Sequence, residues 1–260
     1  MIRPGLCSVT FRGLDIEDVV ALADHAGLAC IEWAGDAHVP PGDAVAAARA
    51  RELTESAGLS VASYGSYLRF EGADDENRTE GDAVIASARM LGAPRIRVWA
   101  GSRGSAEVAE PHRARLVGRV QDFADRAAEH GLEVGLEFHG GTLTDEIGST
   151  LRLLEEVGRG TVLSYWQPHQ DMPAADAVGT LRQALPFLST IHVFSWWPDH
   201  QRHPLSARED LWREVFTVLA AEGSDRDALL EFIPGDDPAL LSREAQTLRS
   251  LIAAGEDAAR

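Results

Sequence analysis

Lysine is missing from this chain: all 24 basic residues among its 260 are arginine. Without a side-chain amine there is no lysine Schiff base and no lysine general base, which excludes pyridoxal-phosphate and lysine-aldolase chemistry. A phosphate-binding P-loop is excluded too, because its motif requires the lysine. Cysteine is scarce: Cys7 and Cys30 lie in apolar runs without CxxC or zinc spacing and read as buried free thiols. The opening MIRPGLCSVTF lacks the apolar stretch of a secretory signal, and no run approaches the roughly 20 apolar residues of a membrane span. A cytoplasmic setting is the expectation. Positive charge is also in deficit, with 24 basic against 41 acidic residues and a net charge of −17. Such a surface repels duplex nucleic acid and anionic bilayers, so neither is an expected partner.

What remains has the make-up of an ordinary folded domain, 45% apolar and 25% charged. One phrase recurs along it: HAGLACIEW, SAGLSVASY, LGAPRIRVW and EHGLEVGLEF each read as a helix end, a glycine cap and a short buried strand. Strand ends near Val9, Trp33, Tyr64, Trp99, Glu137, Gln167, His192 and Glu231 fall about 32 residues apart, the repeat of an eightfold βα unit. The intervening helices are expected over 15–26, 43–57, 78–91, 109–130, 148–157, 174–185, 207–222 and 237–254, with Asp15 and Asp237-Pro238 as start signals. The fold expected is α/β, a single (β/α)8 TIM barrel over 1–255 with its site at the C-terminal ends of the strands, and 256–260 as a short frayed tail. A doubly wound open sheet is the competing architecture, but no GxGxxG follows the first strand.

In such a barrel the reactive groups come from the C-terminal strand ends. The fifth strand ends GLEFHGG, the sixth SYWQPHQD, the seventh STIHVFSW and the eighth LLEFIPGD. Residues two apart on a strand share a face, so the large apolar residues Val134, Leu136, Phe138, Ile191, Val193, Ala228, Leu230 and Phe232 suit the helix layer. Glu137, His192 and Glu231 then point inward at one rim. Two carboxylates there repel unless a cation lies between them. Two Glu, one His and a neutral oxygen suit Mn²⁺, Mg²⁺, Co²⁺ or a similar divalent ion. The alternative is that each is a rim residue paired with an arginine such as Arg97. Gln167 points inward only if Leu163 and Tyr165 do; with the opposite phase Ser164 and Trp166 would, and His169 becomes the fallback fourth ligand.

The eight βα units, these strand ends, and the phrases IEWAGDAHVPPGD, YGSYLR, RVWAG and YWQPHQ resemble the xylose isomerase-like barrel superfamily, in its sugar phosphate isomerase/epimerase branch, over essentially residues 1–255. The resemblance implies one divalent metal, Mn²⁺ first and Mg²⁺, Co²⁺ or Zn²⁺ otherwise, held by Glu137, Gln167, His192 and Glu231. Gln167 departs from the aspartate common at that position, which removes one negative charge from the ligand set. The implied chemistry is isomerisation or epimerisation of a keto-sugar or polyol through a metal-stabilised enediolate. Glu137 and Glu231 would be both ligands and the acid/base pair, and His192 a ligand only.

Trp33, Trp99, Trp166, Trp196 and Trp197 fall at or just past strand ends and, with Tyr64, Tyr67 and Phe194, would wall a pocket for a sugar or an aromatic ligand. Trp212, mid-helix, reads as packing. The expected substrate contacts are Glu32, Trp33, His38, Tyr64, Arg97, Trp99, His169 and Trp196, with a Glu32–Arg97 ion pair as the structural reading of those two. The partner is a small sugar or polyol, unphosphorylated because no glycine-rich cradle is present. A homo-oligomer would be usual for such an enzyme, though no patch marks one. Three alternatives stand beside this reading. A dehydratase or lyase would act on a related keto-polyol from the same enediolate. A non-catalytic carbohydrate-binding barrel is motivated by Gln167. The apurinic-site endonuclease branch is disfavoured by the −17 charge.

Overall fold

The computed structural model describes all 260 residues and shows a closed barrel of eight parallel strands. They are β1 (Ile2–Cys7), β2 (Cys30–Ala34), β3 (Ser60–Gly65), β4 (Arg95–Val98), β5 (Glu133–Glu137), β6 (Val162–Trp166), β7 (Leu188–Val193) and β8 (Arg226–Leu230), with β8 pairing β1 to close the ring. Outside it lie α1 (Ile16–His25), α2 (Ala44–Ser56), α3 (Asp74–Leu91), α4 (Glu110–Ala128), α5 (Ile147–Val157), α6 (Ala174–Ala184), α7 (Glu209–Glu222) and α8 (Leu241–Ala258). A small antiparallel ribbon, Ser195–Trp196 with Arg202–His203, rises after β7. No helix is long and apolar enough to cross a membrane.

The repeated joint phrase does what its glycines predict. Gly27, Gly58, Gly92 and Gly131 all take positive φ, between 66° and 76°, and turn each helix back into the next strand. Asp15 accepts the amide of Asp18 and starts α1 as expected. At the other end Asp237 caps not α8 itself but the single 3-10 turn Pro238–Leu240 that feeds it. Two boundaries move. The acidic run Asp74-Asp75-Glu76 belongs to the first turn of α3, which therefore starts four residues before the expected 78. The segment expected to fray stays helical to Ala258, because Leu251, Ile252 and Gly255 are buried.

Ile31, Val98, Val134, Leu136, Ile191, Val193, Ala228 and Leu230 face the helix layer and are fully buried. Each of the Val, Leu and Ile side chains among them contributes about 1.5–3 kcal/mol over its exposed state, against the entropy of ordering the chain. The barrel interior is polar and tiered instead. At the bottom, Arg3 and Arg95 clamp the buried Asp227 at 2.7 and 3.1 Å. Above them the Tyr165 ring lies across Gly135, where a Cβ would meet it at 2.2 Å, so only glycine fits there. That ring meets His192 edge-on, centroids 5.4 Å apart, and forms the base on which the site is built.

Candidate active site

Inward-facing Tyr165 resolves the phase of β6. Leu163, Tyr165 and Gln167 share the inner face, while Trp166 turns outward and donates its indole N–H to Thr180 of α6 at 3.0 Å. Gln167 therefore reaches the rim, and its Oε1 lies 3.0 Å from His192 Nδ1. The same nitrogen is 3.3 Å from Glu231 Oε2 and 3.7 Å from Glu137 Oε1. Donor atoms of Glu137, His192 and Glu231 all lie within 4.8 Å of one another, and all three residues are buried. One imidazole nitrogen facing three oxygens from three different strand ends is a donor set that fits a divalent cation of the Mg²⁺ or Mn²⁺ type. His169 does not belong to it: its Nε2 meets the carbonyl of Asp145 at 2.6 Å and its ring stacks on Phe138 at 4.2 Å.

Beneath this set runs a buried chain of charge. Arg97 donates to Glu137 Oε2 at 2.6 Å, leaving Oε1 toward His192, and its Nε approaches Glu32 Oε1 at 3.4 Å. Ser63 donates to the other Glu32 oxygen at 2.6 Å. His192 Nε2, buried and without a hydrogen-bond partner, lies 3.5 Å from Glu32 Oε1. Burial alone would raise the Glu32 pKa, but His192 and Arg97 outweigh it and hold the carboxyl down at about 2. His192 responds in the opposite sense. Burial disfavours its charged form, yet Cys7, Glu231 and Glu32 raise its pKa well above the ordinary value. Glu32 is thus a support under the floor, in the expected ion pair with Arg97. Cys7, which the spacing rules dismiss, also packs beside His192 and Glu32.

Above the floor is a pocket of about 170 Å³, smaller than the roughly 300–1,000 Å³ of clefts for drug-sized ligands. It suits one sugar-sized ring or a short open chain. Glu137, Glu231, Gln167, Arg97, Trp99 and Trp196 line it as expected, with Tyr67 and Phe194. Five of the expected contacts do not line it: Glu32 lies beneath the floor, His169 is held by Asp145 and Phe138, and Trp33, Tyr64 and His38 lie elsewhere. Trp33 donates to Thr54 of α2 and Tyr64 to the carbonyl of Val39, both on the outer face of the sheet. His38 packs edge-on against Trp33, 5.7 Å between rings. The cause is strand alternation: Glu32 points inward, so Trp33 cannot, and Tyr64 is its partner in register on β3.

Four lining residues were not among the expected contacts. His139 follows Glu137 by two and extends its inward face past the strand end, a signal present in GLEFHGG. Its ring stacks on Trp99 with centroids 4.2 Å apart, and its Nδ1 is 2.7 Å from the Gly140 carbonyl. Thr144 donates to the carbonyl of Glu137 and fixes this loop. Arg12 reaches over from the β1–α1 loop, ion-paired with Asp36 and donating to the Tyr67 hydroxyl at 2.9 Å. Gln170 completes the β6 side, and Phe232 turns inward despite its outward place in the strand alternation.

Restoring a carboxylate tests the fourth ligand. Gln167→Asp should tighten Mn²⁺ binding at least tenfold in a calorimetric titration, since it adds a charged oxygen to the set. His169→Ala should leave the affinity unchanged.

A 3-dehydroshikimate dehydratase of Bacillus anthracis is 27% identical over 203 residues, covering 74% of this chain and 71% of that protein. An L-ribulose 3-epimerase structure superposes with a TM-score of 0.76 at 19% identity, over 100% of this chain and 96% of that one. A barrel protein from Mycobacterium smegmatis in complex with magnesium gives 0.76 at 13% identity, over 99% and 98% of the two chains. The family profile described as xylose isomerase-like TIM barrel matches residues 20–251, and the chain belongs to that family.

Proposed function

We propose that this chain is a dehydratase that removes water from a small hydroxylated ketone, of the size and kind of 3-dehydroshikimate, by taking the proton next to the carbonyl. The observation that carries this is the position of His139. It is the one imidazole on the pocket wall, while both carboxylates there are engaged, Glu137 by Arg97 and Glu231 by the nitrogen of His192 3.3 Å away. A bound ion would take an oxygen from each of these carboxylates as well, whereas His139 lies outside that donor set. With Nδ1–H donated to the Gly140 carbonyl, the other nitrogen of His139 carries the lone pair.

A divalent ion held by Glu137, Gln167, His192 and Glu231 would polarise the substrate carbonyl and acidify the neighbouring C–H. His139 takes that proton. The electron pair forms the new C=C bond as the β-hydroxyl departs, and the imidazolium returns the proton to it, so that the two leave as water. Trp99 and Trp196 exclude solvent on two sides, and the pocket's size selects one compact ring. The relative's dehydratase activity supports this reading.

Epimerisation is the second reading, favoured by Glu137 and Glu231 both flanking His192, the arrangement for taking a proton on one face and returning it on the other. Incubation of 3-dehydroshikimate and of keto-sugars in heavy water, followed by mass spectrometry and NMR, separates the two. Loss of water supports dehydration; deuterium uptake at constant carbon skeleton supports epimerisation; neither, with Mn²⁺ supplied, overturns both. His139→Asn should lower dehydration by about 10²–10⁴-fold, the contribution of a positioned general base, with metal content unchanged. An epimerase relying on the two carboxylates would retain most of its rate.

A further inference from the structure

The residue after Glu231 breaks the strand pattern. Phe232 has φ of +56°, a conformation a bulky side chain rarely adopts. The amide of Glu231 still follows the sheet, donating to the Val193 carbonyl at 3.1 Å. The amide of Phe232 leaves it and donates to the hydroxyl of the buried Thr10, 2.9 Å away in the turn after β1. This turn swings the ring out of the helix layer, where alternation would put it, and stands it at the barrel mouth. There it is held by Trp196, 5.3 Å between rings, and by the Arg202 guanidinium, 4.4 Å from its centroid. Arg202 is in turn fixed by Asp236.

Phe232 has a cavity on each side. One is the 170 Å³ pocket with Glu137 and Glu231. The other, about 450 Å³, runs between the loops after β1 and β8, with Val9, Phe11 and Leu14 as apolar wall and with Arg12 and Arg202, each already paired with an aspartate, at its edge. Arg12 and Phe232 border both.

We propose that Phe232 is a specificity-determining partition: its ring closes the catalytic pocket against the adjoining cavity and limits the substrate to one compact ring, and the cavity behind it would take an apolar extension of that substrate. A strained backbone held by a dedicated hydrogen bond is explained by the placement of that ring, since a relaxed strand end would merge the two spaces. This inference rests on the pocket being the catalytic one.

The test is Phe232→Ala, with Phe232→Leu as the milder change and Thr10→Val to remove the anchoring acceptor. Anilinonaphthalene sulfonate, a phenyl and a naphthyl group made soluble by a sulfonate, is the binding probe. It should bind Phe232→Ala at least tenfold more tightly than wild type, with Leu and Thr10→Val between, while near-ultraviolet circular dichroism shows retained packing. In turnover, the preference for 3-dehydroshikimate over its benzyl ester should fall at least tenfold in Phe232→Ala. Equal probe affinity in wild type and in every variant that keeps its packing overturns the partition. If wild type does not dehydrate the free acid but probe affinity rises as expected, the proposed reaction fails and the partition stands. If Phe232→Ala does not fold, Leu and Thr10→Val decide by the same affinity comparison.

Discussion

Arg97→Met should destabilise the fold by about 3–5 kcal/mol, the cost of removing one partner from a buried ion pair. The guanidinium is 2% exposed and is the only arginine in contact with either Glu32 or Glu137, both equally buried. Methionine fills similar space without charge, so the loss comes from two carboxylates left in a poorly solvating interior rather than from a cavity. At about 2–4 °C per kcal/mol for chains of this size, the melting temperature should drop on the order of 10 °C. Adding Glu32→Gln to Arg97→Met should restore part of it, because one of the stranded charges is gone. Equal loss in both would mean that packing, not charge, is responsible.

The same buried cluster sets an acid dependence, through His192 first and Arg97 second. The Glu32 pKa is depressed to about 2 in the fold, below the ordinary value of about 4.3 in the unfolded chain. A depressed carboxylate contributes stability that is present above the unfolded pKa and lost as pH falls through the folded one. Denaturant titrations of the wild type should therefore show stability falling between about pH 4.3 and 2. In Arg97→Met the Glu32 pKa rises part of the way, since His192 stays beside it, so this part of the decline should shrink even though the protein is weaker overall.

How much of this was legible in the sequence depends on whether strand alternation continued past the strand end. The barrel was readable because each βα joint carries its own glycine and its own buried strand, so local signals and global fold agree. Glu137, His192 and Glu231 were readable because each sits within a residue of a regular strand, where side chains alternate. The same rule, applied one step further, reaches His139; applied to Glu32, it removes Trp33. Tyr64 was misplaced because an aromatic near a strand end was taken to face the mouth, whereas its register with Trp33 fixes it outside. Phe232 lies beyond the rule, since nothing in LLEFIPGD announces a positive φ at a phenylalanine. Arg12 and His38 sit in loops, whose directions are set by tertiary partners such as Asp36 and Trp33.

Glu231→Gln should abolish turnover, on the order of a thousandfold or more, while leaving the fold intact, and should also empty the metal site. Glu231 has no ion pair with Arg97, and His192, 3.3 Å from it, keeps Glu32 as a second carboxylate 3.5 Å away, so an isosteric amide leaves no buried cation without a counter-charge. Glu137→Gln differs: it takes the 2.6 Å partner from Arg97 and should cost stability as well as activity. The pair of variants thus separates the site's chemistry from its structural support. Elemental analysis after incubation with Mn²⁺ and dialysis gives the readout that does not depend on knowing the substrate. About one metal per wild-type chain is expected at a site of this donor set, with little or none in Glu231→Gln at unchanged circular dichroism. Equal metal in both would place the ion elsewhere and remove Glu231 from the ligand set. An absence of metal in the wild type, with activity retained, would leave His139 working against a carbonyl polarised by Arg97 or Arg12 alone.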